Sequence, residues 1–315
     1  LGVARAPKIV DIDAVACHIP AIRAEHIEGQ VDSRILVEQA LDRLKPDDIV
    51  VVAGHPVDLL EDQVGLVAGD LGQGLEAVFE HADAEGVFIE AFFMEPVMGE
   101  GNPGLAIEPA FYQRARELTR EHETMFVVDS IQAGLRAHGV LSIVDYPGFE
   151  DLDAPDMESY SKALNAGQYP LSVLALSESC AQSYRRGLYG NTMSSNPRAM
   201  DVASAVLDSL SDGLRHNIPE RGRELVAGLN ALADETDGAV VNAQGTGLLV
   251  SCELDQRYKI HGTASTEDYL RRIGLSVIHG GEHSLRYTPV FDISNKEVEL
   301  IVSLTREALL EGPTY

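Results

Sequence analysis

Lys162 stands in the stretch Met157-Glu158-Ser159-Tyr160-Ser161-Lys162-Ala163-Leu164-Asn165-Ala166-Gly167-Gln168-Tyr169-Pro170, and it is one of only five lysines in the chain. A strand-like run ends at Ser161, the lysine follows, and then come a small flexible loop and a second apolar run, Leu171 to Leu176. A lysine at a strand end facing a loop of small residues presents an amine to a bound carbonyl compound. The same pattern also suits an ordinary surface lysine after a strand, so the choice depends on what stands beside it.

Three other features carry comparable chemistry. Asp129 closes a short apolar run and is followed by Ile131 and Gln132. Tyr189-Gly190-Asn191-Thr192-Met193-Ser194-Ser195-Asn196-Pro197 is a loop of small hydrogen-bonding residues leading into a helix, suited to cradling a phosphate with N–H and hydroxyl groups. Arg286, in Ser284-Leu285-Arg286-Tyr287-Thr288-Pro289, could grip a carboxylate with its two-pronged guanidinium. Singly, each has a plain structural alternative: Asp129 could cap a helix, Thr192 could make a turn, and Arg286 could pair with any of 50 acids. Asp11, Asp13 and His18 match no metal-ligand spacing and read as a solvated turn. His279-Gly280-Gly281-Glu282-His283 carries two glycines, which disfavour a helix, so it reads as a turn between strands.

The elements that must position these side chains alternate. Lys8-Ile9-Val10 opens a strand, Ile35 to Leu44 has helical spacing, and Asp48 to Ala53 reads as a buried strand closed by Gly54-His55-Pro56. A helix is expected from Gly74 to His81, a strand from Gly86 to Phe93, and the loop Glu95 to Gly104 after it. Pro109 suits the first turn of a helix running to about His122, and Met125 to Val128 makes another short strand ending in Asp129. Strands alternating with helices imply an α/β fold, a parallel sheet covered on both faces with ligands at the carboxyl ends of its strands. Asp129, Lys162 and the Glu95–Gly104 loop all fall at such ends. After Ala199 the texture changes to two helices (about Arg198–Arg215 and Pro219–Ala233), a strand from Gly247 to Leu254, a helix, strands at Ser276–His279 and Ser284–Phe291, and a final helix with the capping box Ser294/Glu297. That is an α+β unit with a small, mostly antiparallel sheet.

Composition bounds the partners. The 315 residues suffice for a large and a small domain, and 45% hydrophobic content with 28 Gly and 14 Pro suits a globular α/β protein. A net charge of −26 opposes nucleic acid and anionic membranes, while leaving room for a small anion in a locally positive pocket. No apolar run approaches the ~20 residues that span a bilayer, and no basic-then-apolar leader is present. Cys17, Cys180 and Cys252 are far apart and odd in number, which fits a reducing, cytoplasmic setting. The chain starts at Leu1 without a Met, as a fragment or the ordered part of a longer protein would.

Taken together and in this order, the motifs Glu95-Pro96-Val97-Met98-Gly99-Glu100-Gly101, Asp129-Ser130-Ile131-Gln132-Ala133-Gly134, Ser161-Lys162-Ala163-Leu164, Gly190-Asn191-Thr192 with Asn196-Pro197, and Leu285-Arg286-Tyr287-Thr288-Pro289 resemble one family. It is the class III (subgroup II) aminotransferases, which use pyridoxal 5′-phosphate (PLP) on the fold type I architecture. The resemblance spans Gly86 to Leu310. It implies a large cofactor-binding domain over residues 1–197, with its N-terminal portion missing, and a small C-terminal domain over 198–315.

The resemblance also implies roles. Lys162 would carry the cofactor as a Schiff base and shuttle the proton, and Asp129 would keep the ring nitrogen protonated. Ile131 would pack on the ring, Gln132 would reach its phenolic oxygen, Asn191 would help to bind the cofactor, and Thr192 would hold the phosphate of the neighbouring subunit in a homodimer with shared active sites. Arg286 would bind the substrate carboxylate, Glu100 would pair with Arg286 when that carboxylate is absent, and Glu95 would support the floor of the site. The implied activity is ping-pong transamination between an amino acid or amine and an oxo acid or aldehyde. Alternatives on the same fold are an aminomutase or decarboxylase, or a truncated protein that is non-catalytic or needs a partner.

The chain departs from the family in three places. Ser130 stands where Glu is common and Ala133 where Thr is common; Leu135-Arg136-Ala137-His138-Gly139 replaces the usual Gly-Arg-Thr-Gly continuation, which points to an unusual substrate preference. On the order of 100 residues that family members carry before the region matching residue 40, with a phosphate loop and a ring-stacking aromatic, have no counterpart.

Overall fold

The computed structural model describes residues 8–11, 50–53, 68–185, 196–281 and 283–315. The expected helix at Ile35–Leu44, the residues Asp13 and His18, and both Asn191 and Thr192 lie outside them.

Six strands form the first sheet: β1 (Lys8–Asp11), β2 (Val50–Ala53), β3 (Ile89–Met94), β4 (Met125–Asp129), β5 (Met157–Tyr160) and β6 (Val173–Leu176), in that spatial order. The first five run parallel, and β6 returns antiparallel along β5. Helices α1 (Ala68–Ala84) and α2 (Pro109–Glu121) carry the chain between parallel strands. In α2, Pro109 occupies the first turn, where its missing N–H has no helical partner to lose. Phe111, Tyr112, Ala115, Leu118 and Thr119 line up on its buried face. Tyr112 meets Phe126 of β4 with ring centroids 5.2 Å apart, and Phe126 meets Phe92 of β3 at 5.6 Å. Each such buried aromatic contributes about 1.5–3 kcal/mol, which fixes β3 and β4 against the helix layer.

The second sheet has four antiparallel strands in the order β7 (Val240–Thr246), β8 (Leu249–Leu254), β10 (Ser284–Tyr287) and β9 (Ile278–Gly280). Helices α4 (Pro197–Ser209), α5 (Asp212–Glu235), α6 (Thr266–Arg272) and α7 (Asn295–Glu311) accompany it, after the one-turn α3 (Glu178–Ala181). A hydrophobic core of leucines and valines from α5, β8 and α7 lies on one face of this sheet, separate from the aromatic core of the first. The Ser294/Glu297 capping box is present as expected. His279 lies within β9, opposite Leu285, and His283 directly precedes β10, so the turn between the strands is shorter than His279–His283.

Backbone contacts at two glycines lock the sheets together. Gly247 turns β7 into β8 at φ +56, and a side chain there would collide with the Ala137 carbonyl; a methyl on Gly222 of α5 would collide with the Gly247 carbonyl. Leu248 N–H donates to Arg136 O at 3.0 Å, so the 135–139 segment, the β7–β8 turn and α5 form one stack. Ser251 Oγ donates to Pro103 O at 2.8 Å and Thr246 Oγ1 to Gly104 O at 2.9 Å, tying the Glu95–Gly104 loop to the same strands.

Several boundaries differ from the expectations. The helix break falls at Leu210–Ser211, where Ser211 caps α5 by accepting from Leu214 N–H, and Pro219 sits inside α5. Strand β7 was not expected at all. Strand β10 ends at Tyr287, two residues before Pro289, and not at Phe291. Helix α1 is longer at both ends than Gly74–His81.

Candidate active site

Strands β3, β4 and β5 are neighbours and parallel, so their carboxyl ends present Glu95, Asp129 and Lys162 along one edge of the sheet. Asp129 ends β4 opposite Ser159 of β5. Its Oδ1 accepts from the Ile131 N–H at 2.9 Å and from Ser159 Oγ at 3.2 Å, leaving Oδ2 for another group. Lys162 follows β5 with φ +42, in the left-handed region that L residues seldom adopt, and opens a single 3-10 turn to Asn165. Holding such a residue costs on the order of 1–3 kcal/mol, which the surrounding contacts must supply. One of those contacts is Leu164, buried against Leu135, Tyr160 and Ala203.

The Lys162 amine sits among Arg286, Glu100, Glu95 and Asp129. Burial and the Arg286 charge lower its pKa, against the pull of the three carboxylates. It is therefore neutral for more of the time than a free lysine, as a proton acceptor must be. Burial pushes the Glu95 carboxyl up to about 7, although Gly99 N–H donates to its Oε2 at 2.9 Å. The nearby Asp129 adds to that rise.

Arg286 on β10 reaches back across the two sheets. Its side chain is 8% exposed; Nη1 pairs with Glu100 Oε1 at 2.7 Å and also donates to Gly99 O. Its Nε is buried and finds no partner among the described residues. Glu100 accepts a second bond, from Gln132 Nε2 at 2.8 Å. Burial opposes its ionisation, yet Arg286 and Gln132 hold its pKa below the ordinary carboxylate value. Thus the structure brings Lys162, Asp129, Ile131, Gln132, Glu95, Glu100 and Arg286 to one place, and Asn191 and Thr192 lie outside the described residues.

Beside this cluster opens a cavity of about 890 Å³ whose wall includes Lys162, Gln132, Arg136, Arg286, Thr288 and Phe291. That volume falls within the ~300–1,000 Å³ of small-molecule sites. Arg136 was not singled out from the sequence as a site residue. Its signal was there, since it is a cation within a motif that departs from the family pattern.

Glu158, also missed, lies 3% exposed in the middle of β5. It accepts from Ser130 Oγ at 2.5 Å, Ser142 Oγ at 2.7 Å and Ile143 N–H at 3.0 Å. A buried carboxylate satisfied in this way braces the residue after Asp129 against β5. An acid at the centre of a short buried strand was the cue, because it must find donors.

A family profile described as Aminotransferase class-III matches residues 63–309. An ornithine aminotransferase from an Exiguobacterium species is 32% identical over 211 residues, covering 66% of this chain and 49% of that protein. The crystal structure of acetylornithine aminotransferase from Elizabethkingia anophelis superposes with a TM-score of 0.64 at 27% identity, over 76% of this chain and 58% of that one. An (S)-enantioselective omega-transaminase from Thermomicrobium roseum gives a TM-score of 0.68 at 24% identity, over 84% and 60%, which speaks for the fold. The chain spans about half the length of the curated relatives it matches. On the strength of the profile match, this chain belongs to the class III aminotransferase family, with the α/β architecture of fold type I.

Proposed function

We propose that the protein is a PLP-dependent transaminase that moves an amino group from an amino acid or amine to an oxo acid or aldehyde. The observation that carries the reading is the convergence of the Lys162 amine and the Asp129 carboxylate at adjacent parallel strand ends beside a ligand-sized cavity. The donor set fits PLP at both ends. Asp129 is immobilised by two donors on one oxygen, which suits it to a cationic ring nitrogen, and Lys162 is a lysine of lowered pKa, which suits it to an aldehyde. The buried, partnerless Arg286 Nε suits a ligand carboxylate. When bound, PLP supplies an aldehyde that takes up the amino group and a cationic ring that draws electrons from the substrate carbon.

The chain's own residues then do the following. The Lys162 amine, of lowered pKa, would accept the proton from the substrate carbon and return it to the carbon on the far side of the nitrogen. Asp129 holds a proton on the ring nitrogen by charge and hydrogen bonding. Ile131 would pack on the ring, and Gln132, when released from Glu100, would reach its phenolic oxygen. Asn191 and Thr192 would serve the phosphate. Arg286 binds the carboxylate of the oxo acid, displacing Glu100. When the donor lacks that carboxylate, Glu100 pairs with Arg286 again, so one pocket takes two unlike substrates in turn.

The proposal includes a homodimer in which the segment carrying Asn191 and Thr192 serves the other copy's site. It also includes a large unit over 1–197 that binds cofactor, a small unit over 198–315, and a cytoplasmic location, which the free thiols of Cys180 and Cys252 among the described residues support. The names of the relatives put ornithine and acetylornithine first among donors to try. The test is to mix the PLP-loaded protein with each donor and follow the visible absorbance, then add 2-oxoglutarate and measure glutamate. Stoichiometric consumption of 2-oxoglutarate with return of the original spectrum is expected. Loss of carbon dioxide or isomerisation of the donor without oxo-acid consumption would replace transamination with decarboxylase or aminomutase chemistry.

A further inference from the structure

The chain carries 50 acids against 24 lysines and arginines, so a guanidinium in a cavity wall without an acid calls for an explanation. Arg136 is such a group. Arg116, for comparison, pairs with Asp156 at 2.7 Å, and Arg221 with Glu220 at 2.8 Å. Among the described residues no carboxylate pairs with Arg136. Its Nη1 donates to Pro289 O at 2.7 Å and to Leu248 O at 3.2 Å, and its guanidinium lies 5.1 Å from the centre of the Phe291 ring. Two carbonyls and an aromatic face therefore fix its position, while Nε and Nη2 meet no acceptor among the described residues. Burial alone draws its pKa down to about 10, which leaves it charged at neutral pH. The cavity wall around it adds one acid, the exposed Asp292, and two cations, Lys162 and Arg286, of which Arg286 is already paired with Glu100.

A fixed, half-buried and uncompensated guanidinium is preorganised for an anion, because the cost of ordering it has been met before the ligand arrives. Building on the proposed transaminase reading, we infer that Arg136 binds the second carboxylate of a dicarboxylic substrate whose first carboxylate falls to Arg286. The site then selects dicarboxylates over monocarboxylates that lack the second carboxylate, and Arg136 is a specificity-determining residue. Its place in the segment where the family pattern is broken, Leu135-Arg136-Ala137-His138-Gly139, agrees with an altered selection.

Glutarate and butyrate, which carry no oxo group to react, separate this idea from catalysis. Calorimetric titration of the unmodified protein should show glutarate bound about ten-fold or more tightly than butyrate, the scale of one charged hydrogen-bonded pair. Arg136→Met should bring the two within about two-fold by weakening glutarate alone. Should Arg136→Met not melt cooperatively, Arg136→Lys replaces it: loss of the two-pronged fork should weaken glutarate several-fold and leave butyrate unchanged. A wild-type protein that does not distinguish the two acids overturns the inference, as does a variant that keeps the full preference. The spectral donor test is read in parallel. A working half-reaction without glutarate preference removes Arg136 and leaves the transaminase reading, whereas a glutarate preference without any half-reaction does the reverse.

Discussion

Replacing Glu100 by Gln removes the charge that occupies Arg286 and should tighten binding of the carboxylate substrate. The size of the effect follows from exposure. The Glu100 side chain is 68% exposed against 8% for Arg286, so their 2.7 Å ion pair is heavily screened on one side. Such half-exposed pairs contribute about 0.2–1 kcal/mol, far below the Coulomb value in a dry interior. The 2.8 Å bond from Gln132 holds Glu100 in place and puts the pair near the upper end of that range. Gln keeps the shape and one acceptor, so the gain for an incoming carboxylate is about 0.5–1 kcal/mol, or roughly two- to five-fold in affinity. A stopped-flow half-reaction with 2-oxoglutarate on the amino form of the enzyme reads it directly, since its half-saturation concentration should fall by that factor. Donors without the carboxylate should bind less well in the same variant, because Arg286 is left uncompensated. Unchanged or weaker 2-oxoglutarate binding in Glu100→Gln would refute the competition between Glu100 and substrate.

Two further outcomes concern stability. Burial raises the Glu95 pKa from 4.5 to about 7, so between those values the folded state holds more protons than the unfolded one. Stability from this group is therefore full below its unfolded pKa and is lost as pH rises through about 7, a loss on the order of 3 kcal/mol. Glu95→Gln, which does not titrate, should lose that slope, so its urea midpoint should exceed the wild type's at about pH 8 by more than at about pH 5; an equal difference at both would contradict it. At the stack between α5 and the β7–β8 turn, Gly222→Ala pushes a methyl into the Gly247 carbonyl and should lower stability by about 1–3 kcal/mol or more, read as a drop in thermal midpoint; an unchanged midpoint would mean that the two elements part easily.

What was legible in the sequence followed from short-range physics. The buried strands β3 and β4 announced themselves as apolar runs closed by an acid, and their carboxyl ends proved to lie beside that of β5 because parallel strands align those ends. The Ser294/Glu297 box was readable because capping needs only four residues. Elements whose local signals conflict were misread. Pro219 looks like a helix break, yet α5 continues through it, with Leu225, Leu229 and Leu232 buried beyond. Strand β7 carries Asn242, Gln244 and Gly245 on a partly exposed edge, so its alternation is blurred. Gly69, Gly72 and Gly74 masked the start of α1. At the site, no spacing rule could show that Gln132 reaches Glu100, that Glu158 gathers two serines, or that Arg136 lies over Phe291, because those contacts join loops 16 to 155 positions apart.

The most direct test is chemical trapping at Lys162. The PLP-loaded protein is reduced with borohydride, digested and sequenced by mass spectrometry. The pyridoxyl mass is predicted on the peptide carrying Lys162 and on no other, and it should vanish in Lys162→Ala together with the visible absorbance. A label on Lys259 or Lys296, or its persistence in Lys162→Ala, would contradict the assignment of this amine to the reacting carbonyl.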